Sequence, residues 1–223
     1  MKVCFLIPAY DEAATIGEVL ERIAALGLDT NILVIDDGST DETAAIAEAA
    51  GATVIRKANG GKGSALRIGI AAAEGDILVI QDADMEYDPG EVPELIEPIV
   101  RGAADVVFGS RLRGGKPQRA YLFWHLVGNR FLSLLTCILF NTTLSDMETG
   151  YKAFRMDVIK SLDLRENAFG IEPEITGKVC RRKLRIYELP ISYYGRTHDE
   201  GKKITWRDGF RAIWVLLRVR VRG

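Results

Sequence analysis

Cysteine is scarce in this chain. The three present, Cys4, Cys137 and Cys180, are odd in number and far apart, without the paired spacing of a zinc site or a disulfide framework. They read as buried thiols of a protein from a reducing compartment. An excess of one charge sign is also missing: 29 Lys and Arg against 31 Asp and Glu give a formal net charge of -2. A phosphate-backbone binder usually carries a basic imprint over the whole domain, so nucleic acid is not expected as a partner. No leader is expected either, because the apolar run in MKVCFLIPAY is short and broken by Pro8, which predicts a protein that is not exported. There is no internal repeat and no linker. With 223 residues and 48% hydrophobic content, the chain is long enough for one large α/β domain. Its longest apolar stretch, RAYLFWHLVGNRFLSLLTCILF, is interrupted by His125, Asn129 and Arg130 and reads as a buried or interfacial helix rather than a bilayer span.

What is present is an alternation of two periods. KVCFLIP, NILVIDD, ATVIRK, DILVIQD and ADVVFGSR are short, β-branched, continuous apolar runs, the pattern of parallel strands covered on both faces. Between them lie helical stretches closing on Gly27, Gly51 and Gly75, residues that suit a helix stop, with Ser39 or Thr40 available to cap the second. A mostly parallel, doubly wound sheet with helices on both faces follows. Beyond Arg113 the pattern is less regular: EPEITGKVCRRKL reads as a helix, RIYELPISY as a strand, YGRTHDEGKK as a loop, and TWRDGFRAIWVLLRVRV as a last helix.

Three strand ends carry acids: Glu12 in IPAYDE, Asp36 and Asp37 in IDDGSTDE, and Asp82, Asp84, Glu86 and Asp88 in QDADMEYDP. Ligands of open α/β sheets bind at these carboxyl ends. Each motif alone has a bland explanation as a turn or a helix start; three in succession point to a site. Asp82 and Asp84 alternate around the small Ala83, so on an extended segment both carboxylates point to one side. Carboxylates this close repel one another unless a cation holds them. Mg²⁺ or Mn²⁺, which takes one or two protein carboxylates plus diphosphate oxygens, fits that need. NGGKGSAL is not a P-loop, since no Ser or Thr directly follows Gly61-Lys62, and its glycines suit the start of a helix lying close to the sheet. Lys62 near a nucleotide stays a secondary candidate.

Together IPAYDE, VIDDGSTDET, GKGSALRIGI, QDADMEYDP, GSR, SDMETGYKAFR and ISYYGRTHDEGKKI resemble the family 2 glycosyltransferases of the GT-A fold, in particular the polyprenyl-phosphate branch that includes dolichol-phosphate mannosyltransferases. The resemblance spans nearly the whole chain and implies a single GT-A, Rossmann-like domain. Residues 1–113 would form the nucleotide-sugar half, 114–203 the acceptor half and 204–223 an amphipathic terminal helix. It implies that Pro8, Ala9, Tyr10, Glu12, Asp37, Asp82, Ala83 and Asp84 line the nucleotide-sugar site, with Asp84 and Glu86 as metal ligands and Arg196 and Lys202 closing over the diphosphate. The family often has Gln where this chain has Glu86; both are oxygen ligands. Asp146 and Glu148 fall where the resemblance puts sugar or acceptor contacts, with no role assigned by spacing.

A lipid monophosphate is already ionised near neutral pH, so as a nucleophile it needs positioning more than a general base. Arg111, just after a strand, can hold phosphate through its fork. His125 and Asn129 lie one helical turn apart, on one face, and could complete that site; a histidine satisfied within an apolar helix is the equal alternative for His125. The expected chemistry is inverting transfer of a hexose from a nucleotide-sugar, GDP-mannose favoured over UDP-glucose, to a polyprenyl phosphate, with Asp84 and Arg111 as the catalytic residues. A soluble acceptor or a non-catalytic nucleotide-sugar binder are the competing readings. Lys202, Lys203, Arg207, Arg211, Arg218, Arg220 and Arg222 face one acid, Asp208, across the last segment. Basic residues beside Trp206, Phe210, Trp214 and Leu217 suit a membrane surface, with a core-packed helix as the even alternative. The expectation is a peripheral protein at the cytoplasmic face of a membrane, alone or with a small membrane-protein partner.

Overall fold

The computed structural model describes residues 1–120, 123–196 and 206–222. One seven-stranded sheet runs through it: β1 (Val3–Ala9), β2 (Thr30–Asp36), β3 (Thr53–Arg56), β4 (Ile77–Ile80), β5 (Val106–Ser110), β6 (Lys152–Arg155) and β7 (Ile186–Pro190), in the order β3-β2-β1-β4-β6-β5-β7. Every pairing is parallel except those of β6, which runs antiparallel to both β4 and β5. The helices are α1 (Ile16–Ala24), α2 (Thr43–Ala49), α3 (Lys62–Ala72), α4 (Val92–Val100), α5 (Phe123–Phe140), α6 (Met156–Ser161), α7 (Ile171–Arg181) and α8 (Trp206–Arg222).

The continuous apolar strands divide their side chains between two cores. Phe5 and Ile7 of β1 and Ile77 and Val79 of β4 pack against α1 and α4 on one face. The intervening Cys4, Leu6, Leu78 and Ile80 pack against α3, α6 and α7 on the other. A run such as ILVI carries no visible alternation because both faces are covered, and each side-chain flip still finds apolar contact. A third, smaller core joins α5 to α8 through Leu132, Met147, Ala212 and Leu216.

The expected strands and helices are present, and Gly27 and Gly51 take the positive φ of helix stops, +65° and +85°. Four details differ. Gly75 does not close α3, which ends at Ala72 with Ala73 already extended. Neither Ser39 nor Thr40 caps α2: Ser39 Oγ accepts from Asp11 N and Thr40 N donates to Asp11, while Asp41 accepts from Thr43 N at 3.0 Å. The KAFR segment, taken with its motif rather than as a strand, is β6, inserted between β4 and β5. The acid-rich segment after β4 is not extended. It turns, with Met85 at φ 60°, because Asp84 Oδ1 accepts from Glu86 N at 3.0 Å, the local competition with extended backbone that Asp side chains offer.

Candidate active site

β1, β2, β4 and β5 are parallel neighbours or near neighbours, so their carboxyl ends open on one rim, and α5 rises beside it. The rim and α5 enclose a cavity of ≈ 1250 Å³. Pro8, Ala9, Tyr10, Glu12, Asp37, Asp82, Ala83, Asp84, Glu86, Arg111, His125, Asn129 and Arg196 all line it. The structure therefore brings together every described site residue that the sequence nominated. Lys202 lies outside the described residues.

At one end Asp37, buried behind the rim, accepts from Gly60 N at 3.0 Å and Gly61 N at 2.7 Å and pairs with Lys57. Its carboxylate organises the loop that leads into α3. The four acids after β4 go separate ways. Asp82 pairs with Lys62 Nζ at 2.6 Å. Glu86 accepts from Tyr193 Oη at 2.9 Å and Arg196 N at 2.6 Å. Asp88 caps the short 3₁₀ turn Pro89–Glu91 through Gly90 N at 2.9 Å. Among the described residues, Asp84 Oδ1 accepts from the Glu86 amide and from no other group. Burial, reinforced by the Asp82 and Glu86 carboxylates, pushes Asp84 up to about 7, as expected where like charges meet in a poorly hydrated place.

Arg196 spans this end. Its Nη1 donates to Glu12 Oε2 at 2.9 Å and its Nη2 to the Asp84 carbonyl at 2.5 Å. Thr15, also under that guanidinium, ties α1 to the turn by donating to the Ala83 carbonyl at 2.8 Å. Among the described residues, no group of three or more His, Cys, Asp or Glu side chains gathers around a single point. The Asp84 and Glu86 carboxylates on the cavity wall are hard oxygen donors of the kind a cation of the Mg²⁺ or Mn²⁺ type takes alongside diphosphate oxygens and water.

At the other end Arg111 lies against Asp146. Nε donates to Oδ2 at 2.7 Å and Nη2 to Oδ1 at 2.8 Å, and the Arg111 amide adds a bond to Oδ2 at 2.9 Å. Asn129 Nδ2 reaches the same carboxylate at 2.9 Å. Asp146 is fully buried; burial alone would raise its pKa, but the Arg111 guanidinium outweighs it and holds the carboxyl below the usual range. The Tyr193 ring sits 5.1 Å from the Arg111 guanidinium carbon. Tyr193 thus touches both ends of the cavity, through its hydroxyl at Glu86 and its ring at Arg111. His125 lines the cavity from α5, one turn from Asn129.

Sequence reasoning gave second rank to Lys62 and missed Thr15, Tyr193 and Glu172. Lys62 opens α3 and stands between Asp82 and, at 3.6 Å, Glu172 of α7. The GKG spacing was its one signal. Glu172 stands among ordinary helix-opening acids, and nothing in the pattern marks it out.

Residues 4–162 match the family model for glycosyl transferase family 2. The chain belongs to that family. As a family 2 glycosyltransferase it is similar to the undecaprenyl-phosphate mannosyltransferase of Micrococcus luteus, 30% identical over 251 residues that cover 99% of both chains. It is also 32% identical over 195 residues to the glycosyltransferase AglJ of Haloferax volcanii, covering 87% of this chain and spanning 63% of that relative's length. Among solved structures, glucosyl-3-phosphoglycerate synthase of Mycobacterium tuberculosis, in complex with Mn²⁺, UDP and phosphoglyceric acid, superposes with a TM-score of 0.79. It is 25% identical, over 100% of this chain and 79% of the other. The GT-A fold of this glycosyltransferase accounts for the parallel β3-β2-β1-β4 half that carries the acidic rim.

Proposed function

We propose that this glycosyltransferase moves a hexose from a nucleotide-sugar, with GDP-mannose favoured, to a polyprenyl phosphate at a membrane surface. The observation that carries the reading is one cavity with an acidic, Arg196-bridged end and an Arg111 end, opening between two helices that present apolar side chains outward. On α5, Trp124 is 78% exposed and Ile138 70%; on α8, Phe210 is 67% exposed and Val221 76%. Phe123, Trp124, Asp208 and Gly209, from the starts of both helices, line the cavity mouth. A lipid whose phosphate reaches Arg111 would leave by that mouth with its chain against α5 and α8. Arg211 and Arg218 stack on Trp214 at 5.0 Å and 4.8 Å, an arrangement of aromatic and basic groups suited to an anionic membrane surface.

Both alternatives weighed for α8 enter this reading. Ala212, Val215, Leu216 and Val219 face the protein, and Phe210, Trp214, Leu217 and Val221 face outward. Helix α5 is long and apolar enough, by length and composition, to cross a membrane. His125 and Asn129 on the cavity side and Leu132 in the α5–α8 core favour an orientation along the surface, with the domain at the cytoplasmic face.

The donor diphosphate would lie along Asp82–Asp84 under Arg196. Asp84 and Glu86 would hold the divalent cation, which supplies neutralisation of the charge that collects on the departing diphosphate. Arg111, Asn129 and His125 would place an acceptor phosphate oxygen in line with the sugar C1. The bond from that oxygen to C1 forms as the bond from C1 to the diphosphate oxygen breaks, its electron pair leaving with the nucleoside diphosphate. No proton has to move, because the acceptor arrives ionised, and the single displacement inverts C1.

The test is transfer of label from GDP-mannose and from UDP-glucose, in parallel, to polyprenyl phosphate in detergent, with Mn²⁺ or Mg²⁺ and with EDTA. Label entering the lipid phase from GDP-mannose and lost with EDTA is the expected result. Label from UDP-glucose instead reassigns the donor. Transfer to phosphoglyceric acid but not to lipid overturns the acceptor.

A further inference from the structure

One buried side chain stands between the two ends of the cavity and has no part in the scheme above. Tyr193 follows β7 and is 9% exposed. Its backbone is fixed on both sides. The amide donates to the Pro117 carbonyl and the carbonyl accepts from Arg119 N, each at 3.0 Å, which ties Tyr193 to the segment leading from Arg111 to α5. The amide of the next residue, Tyr194, donates to the Glu86 carbonyl at 3.0 Å, so the same stretch also holds the turn after β4.

The ring is fixed as firmly as the backbone. It tilts against Tyr87 with 5.7 Å between ring centroids, and Tyr87 stacks on Tyr151 at 5.1 Å with the planes 10° apart. Tyr151 Oη donates to the Asp88 carbonyl at 2.9 Å and Tyr87 Oη accepts from Gly150 N at 3.1 Å, so this column of three rings is anchored in the body of the domain. A tyrosine side chain is rigid beyond its first two torsions, and once its ring is set the place of its hydroxyl is set as well.

Two charged groups take their positions from that ring. The hydroxyl donates to Glu86 Oε2 at 2.9 Å, while Oε1 of the same carboxylate accepts from the Arg196 amide. The ring lies 5.1 Å from the Arg111 guanidinium carbon. Among the described residues Asp146 takes Nε and Nη2 of Arg111, which leaves Nη1 for an incoming anion. A carboxylate alone lets a guanidinium pivot about the edge they share; a ring packed on its face removes that freedom.

We infer that Tyr193 is a positioning residue for the transfer: its hydroxyl orients Glu86 toward the cation, its ring aims Arg111 at the acceptor phosphate, and one rigid side chain sets the separation between the two substrates. The inference rests on the roles proposed above for Glu86 and Arg111 and deepens them. In-line displacement makes the separation matter, because a misplacement of about 1 Å lowers the rate on the order of 100-fold.

The two contacts can be removed separately. Tyr193→Phe deletes the hydroxyl and keeps the ring; Tyr193→Met deletes both and fills the space with an unbranched apolar chain. Mn²⁺ affinity is measured by calorimetry on the whole chain, alone and with GDP or UDP. Steady-state kinetics are measured with polyprenyl phosphate in detergent and whichever of GDP-mannose and UDP-glucose the parent uses. Tyr193→Phe should weaken Mn²⁺ binding on the order of 10-fold, the loss of one hydrogen bond to a charged group, and should leave the acceptor KM as in the parent. Tyr193→Met should weaken Mn²⁺ binding to the same extent, raise the acceptor KM on the order of 10-fold and lower kcat on the order of 10- to 100-fold. The ring of the Phe variant thus rescues acceptor use and not the cation, a split that a purely structural role would not produce. Tyr193→Leu takes the place of Tyr193→Met if that variant does not fold. Equal acceptor KM with and without the ring, or Mn²⁺ bound by Tyr193→Phe as tightly as by the parent, overturns the inference while leaving the proposed reaction in place. A parent protein that transfers nothing to polyprenyl phosphate, or binds no Mn²⁺, overturns the proposed reaction or its metal site, and the inference with it.

Discussion

Removing the charge of Glu148 should stabilise the protein, and only at high pH. Burial, with Glu172 beside it, pushes the Glu148 carboxyl up to about 7 from an ordinary 4.5. Between those two values the folded chain holds a proton that the unfolded chain has released, so stability falls as pH rises through that window. Above both, the ionised carboxylate carries the whole penalty: two and a half pH units at about 1.36 kcal/mol each come to about 3 kcal/mol. Glu148→Gln has no proton to lose. Its stability relative to the parent should be near zero at pH 4.5 and should rise to a plateau of up to about 3 kcal/mol above pH 7.5, or roughly 6–12 °C in Tm for a chain of this size. Urea unfolding of both proteins at half-unit steps from pH 4.5 to 8.5 reads this, because every titrating group that does not interact with Glu148 cancels in the difference. Two stability curves that stay parallel across the range would refute the reasoning.

Asp84→Ala should abolish metal-dependent turnover and weaken Mn²⁺-dependent nucleotide binding, read by calorimetry with and without EDTA; full activity in that variant removes Asp84 from the metal site. Arg111→Ala should impair use of the acceptor phosphate, but it also strands the buried Asp146 carboxylate, so a loss of about 3–5 kcal/mol should appear in denaturant unfolding; Arg111→Lys, which keeps a cation, should separate the two effects, and unchanged acceptor kinetics in it count against the role. Trp124→Ser with Trp214→Ser should reduce sedimentation with anionic vesicles at least several-fold while leaving donor binding intact; equal sedimentation places the membrane contact elsewhere. Gly150→Ala, whose Cβ would come within 2.6 Å of Asp82 Oδ2 and 3.0 Å of Lys62 Nζ, should lower donor affinity more than it lowers Tm, and normal donor binding in the variant argues against a donor contact at that pair.

Much of this was legible in the sequence, for identifiable reasons. Parallel strands covered on both faces must be apolar throughout, so KVCFLIP, NILVIDD and DILVIQD announced both their conformation and, by their order, the rim on which Glu12, Asp37 and Asp84 meet. Motif spacing carried Arg111, His125 and Asn129 to one cavity because a strand end and one turn of helix fix relative position locally. Long-range pairing carried no such signal. β6 is four residues long and joins β4 to β5 in the opposite direction, a choice set by which edges are free, not by the composition of KAFR. The approach of Glu172 to Lys62 and Lys152 across α7, α3 and β6 is likewise a product of packing. The turn after β4 was misjudged for a local reason: period 2 holds only while the backbone stays extended, and Asp84 bends it by capturing the Glu86 amide.

That bend decides how an acidic segment can exist before any ligand arrives. On an extended strand Asp82 and Asp84 would crowd one side and would need a shared cation at once. The turn parts them: Lys62 neutralises Asp82, Tyr193 and the Arg196 amide satisfy Glu86, Gly90 N satisfies Asp88, and Arg196 bridges Glu12 to the Asp84 carbonyl. Among the described residues no cation pairs with the Asp84 carboxylate, and burial, with the Asp82 and Glu86 carboxylates beside it, brings its proton affinity near neutrality. A divalent cation binding there must displace that proton, so Mn²⁺ affinity should rise with pH up to about 7 and level off above it, the dependence expected of any ligand that must first be deprotonated. Titration of Mn²⁺ into the protein at pH 6 and pH 8 should show tighter binding at pH 8, with proton release at pH 6. Equal affinity at both would mean that the cation is held by groups already ionised, and that Asp84 is not among them.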